Sequence, residues 1–198
     1  MSSIVVQEFI TLDGVIQGPG GEGEDEEGGF THSGWQARHP SDDGRLIIDW
    51  ESRTEGLLLG RKTYELWAGA WGVWPEDAEG YMGEFTRRYN RVPKYVASRT
   101  LTEVGWKNSQ LLGSDLAAEV QAIKDQPGGE IRVWGSSVLI RSLAEHDLID
   151  EYRLMIYPIV LGSGKKLFPD GFPTRTLDLV ETQTLTSGVI VAVYHPQR

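Results

Sequence analysis

Two stretches of the chain run an apolar segment into glycine and then into residues able to hold a phosphate. The first is Leu57-Leu58-Leu59-Gly60-Arg61-Lys62-Thr63, and the second is Ile131-Arg132-Val133-Trp134-Gly135-Ser136-Ser137-Val138. Each reads as a strand entering the N-terminus of a helix, where unpaired backbone N–H groups and a partial positive charge suit an anion. Glycine lets the backbone approach a ligand closely. Two such junctions in one chain suit a ligand with more than one phosphate, as a dinucleotide has. For either junction alone, a glycine that merely makes a tight turn is the simpler alternative. A third formal match, Gly18-x-Gly20-x-x-Gly23, is rejected. Pro19 lies inside it, no strand directly precedes it, and carboxylates follow where a pyrophosphate needs positive potential.

The elements that must position these residues follow from periodicity. Residues 3–10 read as a largely buried strand, turned by Thr11-Leu12-Asp13-Gly14. Residues 17–29, glycine-rich and acidic, read as a mobile surface loop. Residues 43–54 read as a helix with Leu46, Ile47, Trp50 and Thr54 on one side. Leu57–Leu59 is a short strand, and helices follow over 61–70 and 76–91, the second carrying Tyr81, Met82, Phe85 and Tyr89. Lys94–Ser98 and 108–112 read as strands. Residues 115–125 form a helix with Leu116, Val120 and Ile123 on its apolar face and Asp115 or Ser114 as cap. The second glycine junction joins a strand over 130–134 to a helix over 136–145. Residues 150–157 alternate Tyr152, Leu154 and Ile156 against Arg153, Met155 and Tyr157. Segments 176–185 and 189–195 form a terminal hairpin around Ser187-Gly188. Helices alternating with strands, then an antiparallel end, predict a single α/β domain over 1–198. Its sheet is mixed and mostly parallel, with helices on both faces.

Composition sets the bounds. The chain has 198 residues, 39% of them hydrophobic and 24% charged, with no cysteine and a formal net charge of −10. Without cysteine there is no disulfide, thiolate metal site or thiol nucleophile. Glu22, Glu24, Asp25, Glu26 and Glu27 supply about half the net charge, and the rest of the chain is mildly acidic. That balance argues against a nucleic-acid partner, while a local cluster of Arg61, Lys62 and helix dipoles still suits an anion. No apolar run reaches the length of a membrane span, and no basic-then-apolar leader is visible. No membrane partner and a cytoplasmic location are therefore expected.

Five motifs then occur in order. They are Asp13-Gly14; Leu58-Leu59-Gly60-Arg61-Lys62-Thr63-Tyr64-Glu65; Val96-Ala97-Ser98-Arg99-Thr100-Leu101; Val133-Trp134-Gly135-Ser136-Ser137; and Tyr157-Pro158-x-x-Leu161-Gly162-x-Gly164-x-x-Leu167-Phe168. Over nearly the whole chain, this series resembles the dihydrofolate-reductase-like superfamily. More closely, it resembles the reductase domain at the C-terminus of the bifunctional riboflavin-biosynthesis deaminase-reductase, here in stand-alone form. The resemblance implies a dihydrofolate-reductase-like sheet binding NADPH at the C-terminal ends of its strands. Gly60, Arg61, Lys62 and Thr63 would hold cofactor phosphate at a helix start. Ser98, Arg99 and Thr100 would hold the adenosine-ribose 2′-phosphate. Gly135, Ser136, Ser137 and Val138 would wrap the pyrophosphate. A guanidinium is suited to bidentate phosphate contact, which agrees with this reading. Asp13 is the candidate active-site carboxylate, orienting substrate hydroxyls or relaying a proton. On its residues alone, aspartate before glycine is ordinary turn chemistry.

The implied reaction is reduction of a ribosylamino-pyrimidine phosphate to its ribitylamino form, with the cofactor supplying hydride and the protein alignment. The Arg61–Glu65 run and the acidic loop depart from the riboflavin reductase pattern, so a pterin or dihydrofolate reductase remains an alternative. So does a non-catalytic nucleotide-binding module. The family often forms homodimers, and one is expected here. Asp49 reads as a surface aspartate. Tyr64, Trp67, Trp71 and Trp74 read as core or subunit packing. Trp35 and Trp50 are candidate pocket walls. His32 and His39 lack partners at metal-ligand spacing, so no metal is expected. Gly162-Ser163-Gly164-Lys165 lacks the first glycine and the hydroxyl residue of a phosphate loop, and reads by resemblance as a loop flanking the active site.

Overall fold

The first strand, Ser3–Thr11 (β1), is buried on both faces, which places it in the interior of a parallel sheet rather than at an edge. The computed structural model describes residues 1–39 and 44–197. In it β1 pairs in parallel with Glu130–Val133 (β5) on one side and Glu151–Tyr157 (β6) on the other. Outward from β5 lie Thr54–Gly60 (β2), Lys94–Ala97 (β3) and Ser109–Leu111 (β4), all parallel. Outward from β6, Ile190–Pro196 (β8) and then Leu177–Thr184 (β7) pair antiparallel, giving the order β4-β3-β2-β5-β1-β6-β8-β7.

Strand order also decides which face each helix covers. The connections through Gly44–Ser52 (α1), and through Arg61–Ala70 (α2) with Gly80–Arg91 (α3), step toward the β4 edge. Those through Leu116–Asp125 (α4) and Ser137–Glu145 (α5) step the other way. Right-handed crossovers put helices with opposite steps on opposite faces. The core agrees. Val120 and Ile123 of α4 and Leu139, Ile140 and Leu143 of α5 pack with Ile4, Val6, Leu58 and Val133. Trp50 of α1 packs with Met155, while Tyr64, Phe85 and Tyr89 pack with Leu57, Leu59 and Val96 on the other face. Tyr152 and Leu154 join the first face and Met155 and Tyr157 the second, as the alternation in β6 requires.

The predicted elements are present, with shifted ends. The helix over 61–70 matches α2, and α4 is capped by Asp115, whose Oδ1 accepts the Ala118 amide at 3.1 Å. The helix expected over 76–91 begins only at Gly80. Pro75–Ala78 closes a turn first, and Gly80 at φ +73° cannot continue a helix from residue 76. The strand expected over 57–59 extends back to Thr54 across a register shift, which ends α1 at Ser52. Asp43, the first residue of the helix expected over 43–54, lies outside the described residues. The terminal hairpin turns at Ser187-Gly188, with Gly188 at φ +85°.

At the N-terminal ends of the strands a charge cluster ties the middle of the sheet. Glu130 accepts from Arg153 at 2.7 and 2.9 Å and from the fully buried Arg132 at 2.5 Å. Burial raises its carboxyl pKa, but Arg153 and Arg132 outweigh that and hold it below the usual range.

Candidate active site

The C-terminal ends of the parallel strands gather the residues singled out in the sequence. Asp13 follows β1, Gly60 ends β2, Ser98 follows β3, and Gly135 follows β5 by one residue. The two glycine junctions, far apart in sequence, meet directly. Ser136 Oγ accepts the Gly60 amide at 2.9 Å and lies 2.9 Å from Thr63 Oγ1 and 3.2 Å from the Trp134 carbonyl oxygen. These contacts hold Ser136 at φ +60°, a left-handed conformation a serine rarely adopts. Gly135 precedes it at φ +55°, with Thr63 Oγ1 3.0 Å from where a Cβ would stand, so a side chain there would strain the backbone and crowd Thr63. Thr63 and Ser136 thus clasp one junction to the other with their hydroxyls. Neither Gly60 nor Ser136 caps its helix through a side chain, which leaves the first-turn amides of α2 and α5 unsatisfied by a cap. Ser137 and Val138 form that turn of α5, and Val138 is 74% exposed.

The cationic residues stand in different states. Arg61 pairs along its helix with Glu65 at 2.9 Å. Lys62 pairs with Glu27 of the acidic loop. Arg99 is exposed after β3, where Ser98 Oγ accepts the amides of Thr100 and Leu101 at 3.1 and 2.9 Å and turns the chain. The acidic loop is laced to its surroundings. Gln17 Nε2 donates to the carbonyl oxygens of Asp25 and Glu27, and Lys165 pairs with Asp25 and Glu27 at 2.5 Å each. Lys165 and Lys62 pull the Glu27 carboxyl down to about 2. A cleft of about 370 Å³ lies between this loop and the 162–165 loop, lined by Gln17, Glu27, Phe30, Ser163, Gly164 and Lys165.

Asp13 fastens that second loop. Its Oδ1 accepts from Thr11 Oγ1 at 2.6 Å and the Leu161 amide at 3.2 Å, and its Oδ2 accepts the Gly162 amide at 2.7 Å. Burial works against the charged form, but these hydrogen bonds outweigh it and hold the carboxyl below the ordinary aspartate range. Gly164, at φ +122°, lets the loop close on Val15 and Phe30, whose atoms come within 2.8 Å of where a Cβ would stand. The resulting loop flanks the gathered strand ends.

On the α1 face lies an aromatic group. The half-buried Phe9 has its ring centroid 5.2 Å from Trp134 and 5.8 Å from Tyr157, and Trp35 meets Tyr157 edge-on at 5.4 Å. Gln36 Nε2 donates to Tyr157 Oη at 3.0 Å, and the His39 ring stands against Tyr157. Trp50 is buried behind this group, over Arg153, and is core rather than wall. Trp67 and Trp71 pack on Tyr89, while Trp74 is 44% exposed. Asp49 is a surface residue paired with Arg53 at 3.6 Å. Sequence reasoning missed Glu51 of α1, whose Oε1 accepts from Trp134 Nε1 at 2.9 Å and Gln7 Nε2 at 3.3 Å. It also missed Glu8, whose signal was a carboxylate within the apolar run of β1. Among the described residues no group of three side chains could hold a metal ion, and no helix is long and apolar enough to cross a membrane.

A mixed sheet in this order, with the starts of α2 and α5 converging at the C-terminal ends of its strands, defines a dihydrofolate-reductase-like fold. The structure superposes on a putative riboflavin biosynthesis protein from Shewanella sp. PV-4 with a TM-score of 0.73 at 22% identity, covering 99% of each chain. It also superposes on dihydrofolate reductase from Enterococcus faecalis, complexed with NADP(H) and RAB-propyl. That match has a TM-score of 0.57 at 16% identity and covers 99% of this chain and 97% of that one. In sequence, the model of the RibD C-terminal domain matches residues 2–191. The protein YyaP of Bacillus subtilis (strain 168) is 33% identical over 196 residues, 97% of this chain and 94% of that protein. The chain belongs to the RibD C-terminal domain family.

Proposed function

We propose that the protein is an NADPH-dependent reductase acting on a small heterocyclic substrate. The best-fitting reaction is of the 5-amino-6-(5-phosphoribosylamino)uracil reductase type. The observation that carries the reading is the convergence of the two glycine junctions, with the uncapped amides of α2 and α5 at one edge of the sheet. Membership of the RibD C-terminal domain family supports it. The residues present fit the cofactor. The amides following Gly60 and Ser136 suit phosphate oxygens, Arg61 and Lys62 would meet an anion by exchanging their pairs with Glu65 and Glu27, and Gly135 keeps the junctions close. Ser98, Arg99 and Thr100 form the arm for the 2′-phosphate, and Ser137 and Val138 contribute backbone to the pyrophosphate wrap.

When bound, the cofactor supplies hydride. The chain's own residues orient the partners and exclude water. Asp13, ionised, holds the Leu161–Gly162 backbone over the strand ends and presents negative charge to substrate hydroxyls. The half-buried Phe9, tilted against Trp134 and edge-on to Tyr157, offers apolar contact to a heterocycle. We further propose a homodimer and a cytoplasmic setting.

Titration with NADPH and NADH, read by energy transfer from tryptophan to the reduced nicotinamide, tests the reading. NADPH-preferring binding is expected, followed by its oxidation in the presence of a ribosylamino-pyrimidine phosphate. Failure to bind either nucleotide overturns the proposal, and turnover of dihydrofolate instead moves the substrate to a pterin.

A further inference from the structure

Glu51, in the last turn of α1, has a carboxylate buried in the fold, with the residue 1% exposed. Donors reach it from β1, β2, α3 and the residue that follows β5. Its Oε1 accepts from Gln7 Nε2 at 3.3 Å and from Trp134 Nε1 at 2.9 Å, and its Oε2 accepts from Thr54 Oγ1 at 3.0 Å. The buried Tyr89 hydroxyl is hydrogen-bonded to it as well. Indole N–H, amide NH₂ and hydroxyl groups all donate, and a carboxylate accepts from each. The helix turn that carries Glu51 is itself held. Arg132 donates through Nη2 to the Trp50 carbonyl oxygen at 3.0 Å and through Nη1 to Gln7 Oε1. Glu51 is therefore a fixed acceptor, not a side chain free to follow its donors.

Of these donors, Trp134 belongs to a junction assigned to the dinucleotide. It immediately precedes Gly135 at φ +55° and Ser136 at φ +60°, two left-handed residues in succession. Serine disfavours that conformation, so contacts outside the turn must hold it. After the turn, Ser136 Oγ accepts the Gly60 amide and meets Thr63 Oγ1. Before the turn, the anchor is the Trp134 side chain, which is 8% exposed for the whole residue and lies against Phe9 and Trp67 at centroid distances of 5.2 and 6.3 Å. Apolar packing leaves a ring some freedom to turn. A directed bond from its N–H to a fixed oxygen removes that freedom. The junction is thus gripped on both sides, and Glu51 is the far end of one grip.

We propose that Glu51 is a positioning residue for the dinucleotide. Through the Trp134 indole it holds the Gly135–Ser136 backbone in the conformation whose following amides receive the pyrophosphate. This rests on the NADPH reading above. Glu51 touches neither cofactor nor substrate. What it supplies is preorganisation: with Trp134 untethered, the turn has to be ordered at the moment of binding, and affinity falls by that cost.

The test uses the whole chain and three variants. Trp134→Phe removes the indole N–H and keeps an aromatic ring. Glu51→Leu removes the acceptor. Glu51→Gln keeps an oxygen for Trp134 and an NH₂ that the Thr54 hydroxyl can accept. Calorimetry reads the affinity for NADPH, for 2′-phospho-ADP-ribose, and for adenosine 2′-monophosphate, which lacks the pyrophosphate. Urea unfolding reads stability separately. Trp134→Phe and Glu51→Leu are each expected to weaken NADPH and 2′-phospho-ADP-ribose about fivefold, and to leave adenosine 2′-monophosphate within about twofold. Combined, they are expected to cost no more than either alone. Glu51→Gln is expected to retain the affinity of the wild type. The Trp134 indole N–H resonance, identified by its loss in Trp134→Phe, is expected to move in Glu51→Leu. Lower stability with unchanged affinity in Glu51→Leu makes the residue merely structural and overturns the proposal. So does an equal loss for adenosine 2′-monophosphate, or losses that multiply in the double variant. If Glu51→Leu fails to fold, Trp134→Phe decides: undiminished affinity for 2′-phospho-ADP-ribose overturns the inference. A wild-type protein that binds none of the three probes removes the cofactor reading itself, and this inference with it.

Discussion

Arg99 stands exposed after β3, and no carboxylate among the described residues pairs with it. Its guanidinium is therefore free to meet an anion without first giving up a partner, unlike Lys62, which is held by Glu27. A charge-assisted contact to a 2′-phosphate distinguishes the two nicotinamide dinucleotides, since only one carries that group. Arg99→Ala is expected to weaken NADPH by about tenfold and leave NADH unchanged, as read by nucleotide titration. Equal effects on both would remove Arg99 from the 2′-phosphate arm. At this scale much was legible. Glycine followed by Arg-Lys-Thr or by Ser-Ser announced the two junctions, and Asp115 announced its cap. The clasp between Thr63 and Ser136 was not, because it joins residues far apart in sequence whose hydroxyls look equally free on paper. Asp13 was found as a turn residue and as a candidate carboxylate. That it grips the amides of Leu161 and Gly162 needed the second loop in place.

Among the elements, β5 and β6 share an interlocked group of charges. Glu130 at the start of β5 neutralises Arg132, which has no exposed side-chain surface, and Arg153 from β6, which is 5% exposed. Removing that carboxylate leaves two guanidinium groups short of a counter-charge inside the fold. Glu130→Gln is expected to destabilise the protein by about 3 kcal/mol at pH 7, as measured by urea unfolding. The pH dependence has a definite sign. The folded carboxyl titrates below its unfolded value, so its stabilisation is complete above about pH 4.3. It is lost as pH falls through the lower folded pKa. Wild-type and variant stabilities should therefore converge in acid, and a gap that stays constant down to pH 3 would contradict the assignment. The elements themselves were largely readable, since alternation in β6 and helical spacing in α4 match the faces of the core. Their ends were not. Gly80 and the register shift in β2 moved boundaries by several residues, and no periodicity reports a left-handed glycine or a bulge. In β1, a strand buried on both faces gives no alternation to expose an intruding carboxylate, and Glu8 passed for one polar residue in an apolar run.

For the molecule as a whole, the outer strand β7 has no partner on its far side among the described residues, and Leu179 and Val180 on it are 54% and 55% exposed. An edge of this kind is a natural surface for a second copy. Light scattering at micromolar concentration is expected to return twice the 22.1 kDa chain mass for the wild-type protein, and a lower mass for Val180→Asp. A wild-type monomer would remove the homodimer from the proposal. The parallel centre and antiparallel end of the sheet were foreseeable from the order of helices and strands. The order of the strands was not, because no local pattern says that β5 inserts between β2 and β1.

That insertion governs how the protein can be made. β1, the first of these strands in chain order, has its ladder partners among the described residues in β5 and β6, and β2 pairs with β3 on one side and β5 on the other. Until Val133 has been synthesised, β1 therefore has no neighbour to bond, and two apolar, unpaired strand edges wait on each other. Parallel pairing across so much sequence is slow, and exposed edges invite other chains. A nascent chain halted at residue 129 is expected to be captured by chaperones or to aggregate, whereas one released past Tyr157 closes its sheet. Stepwise truncation during translation should show protease resistance appearing abruptly between these lengths, late in synthesis, rather than accumulating with each helix.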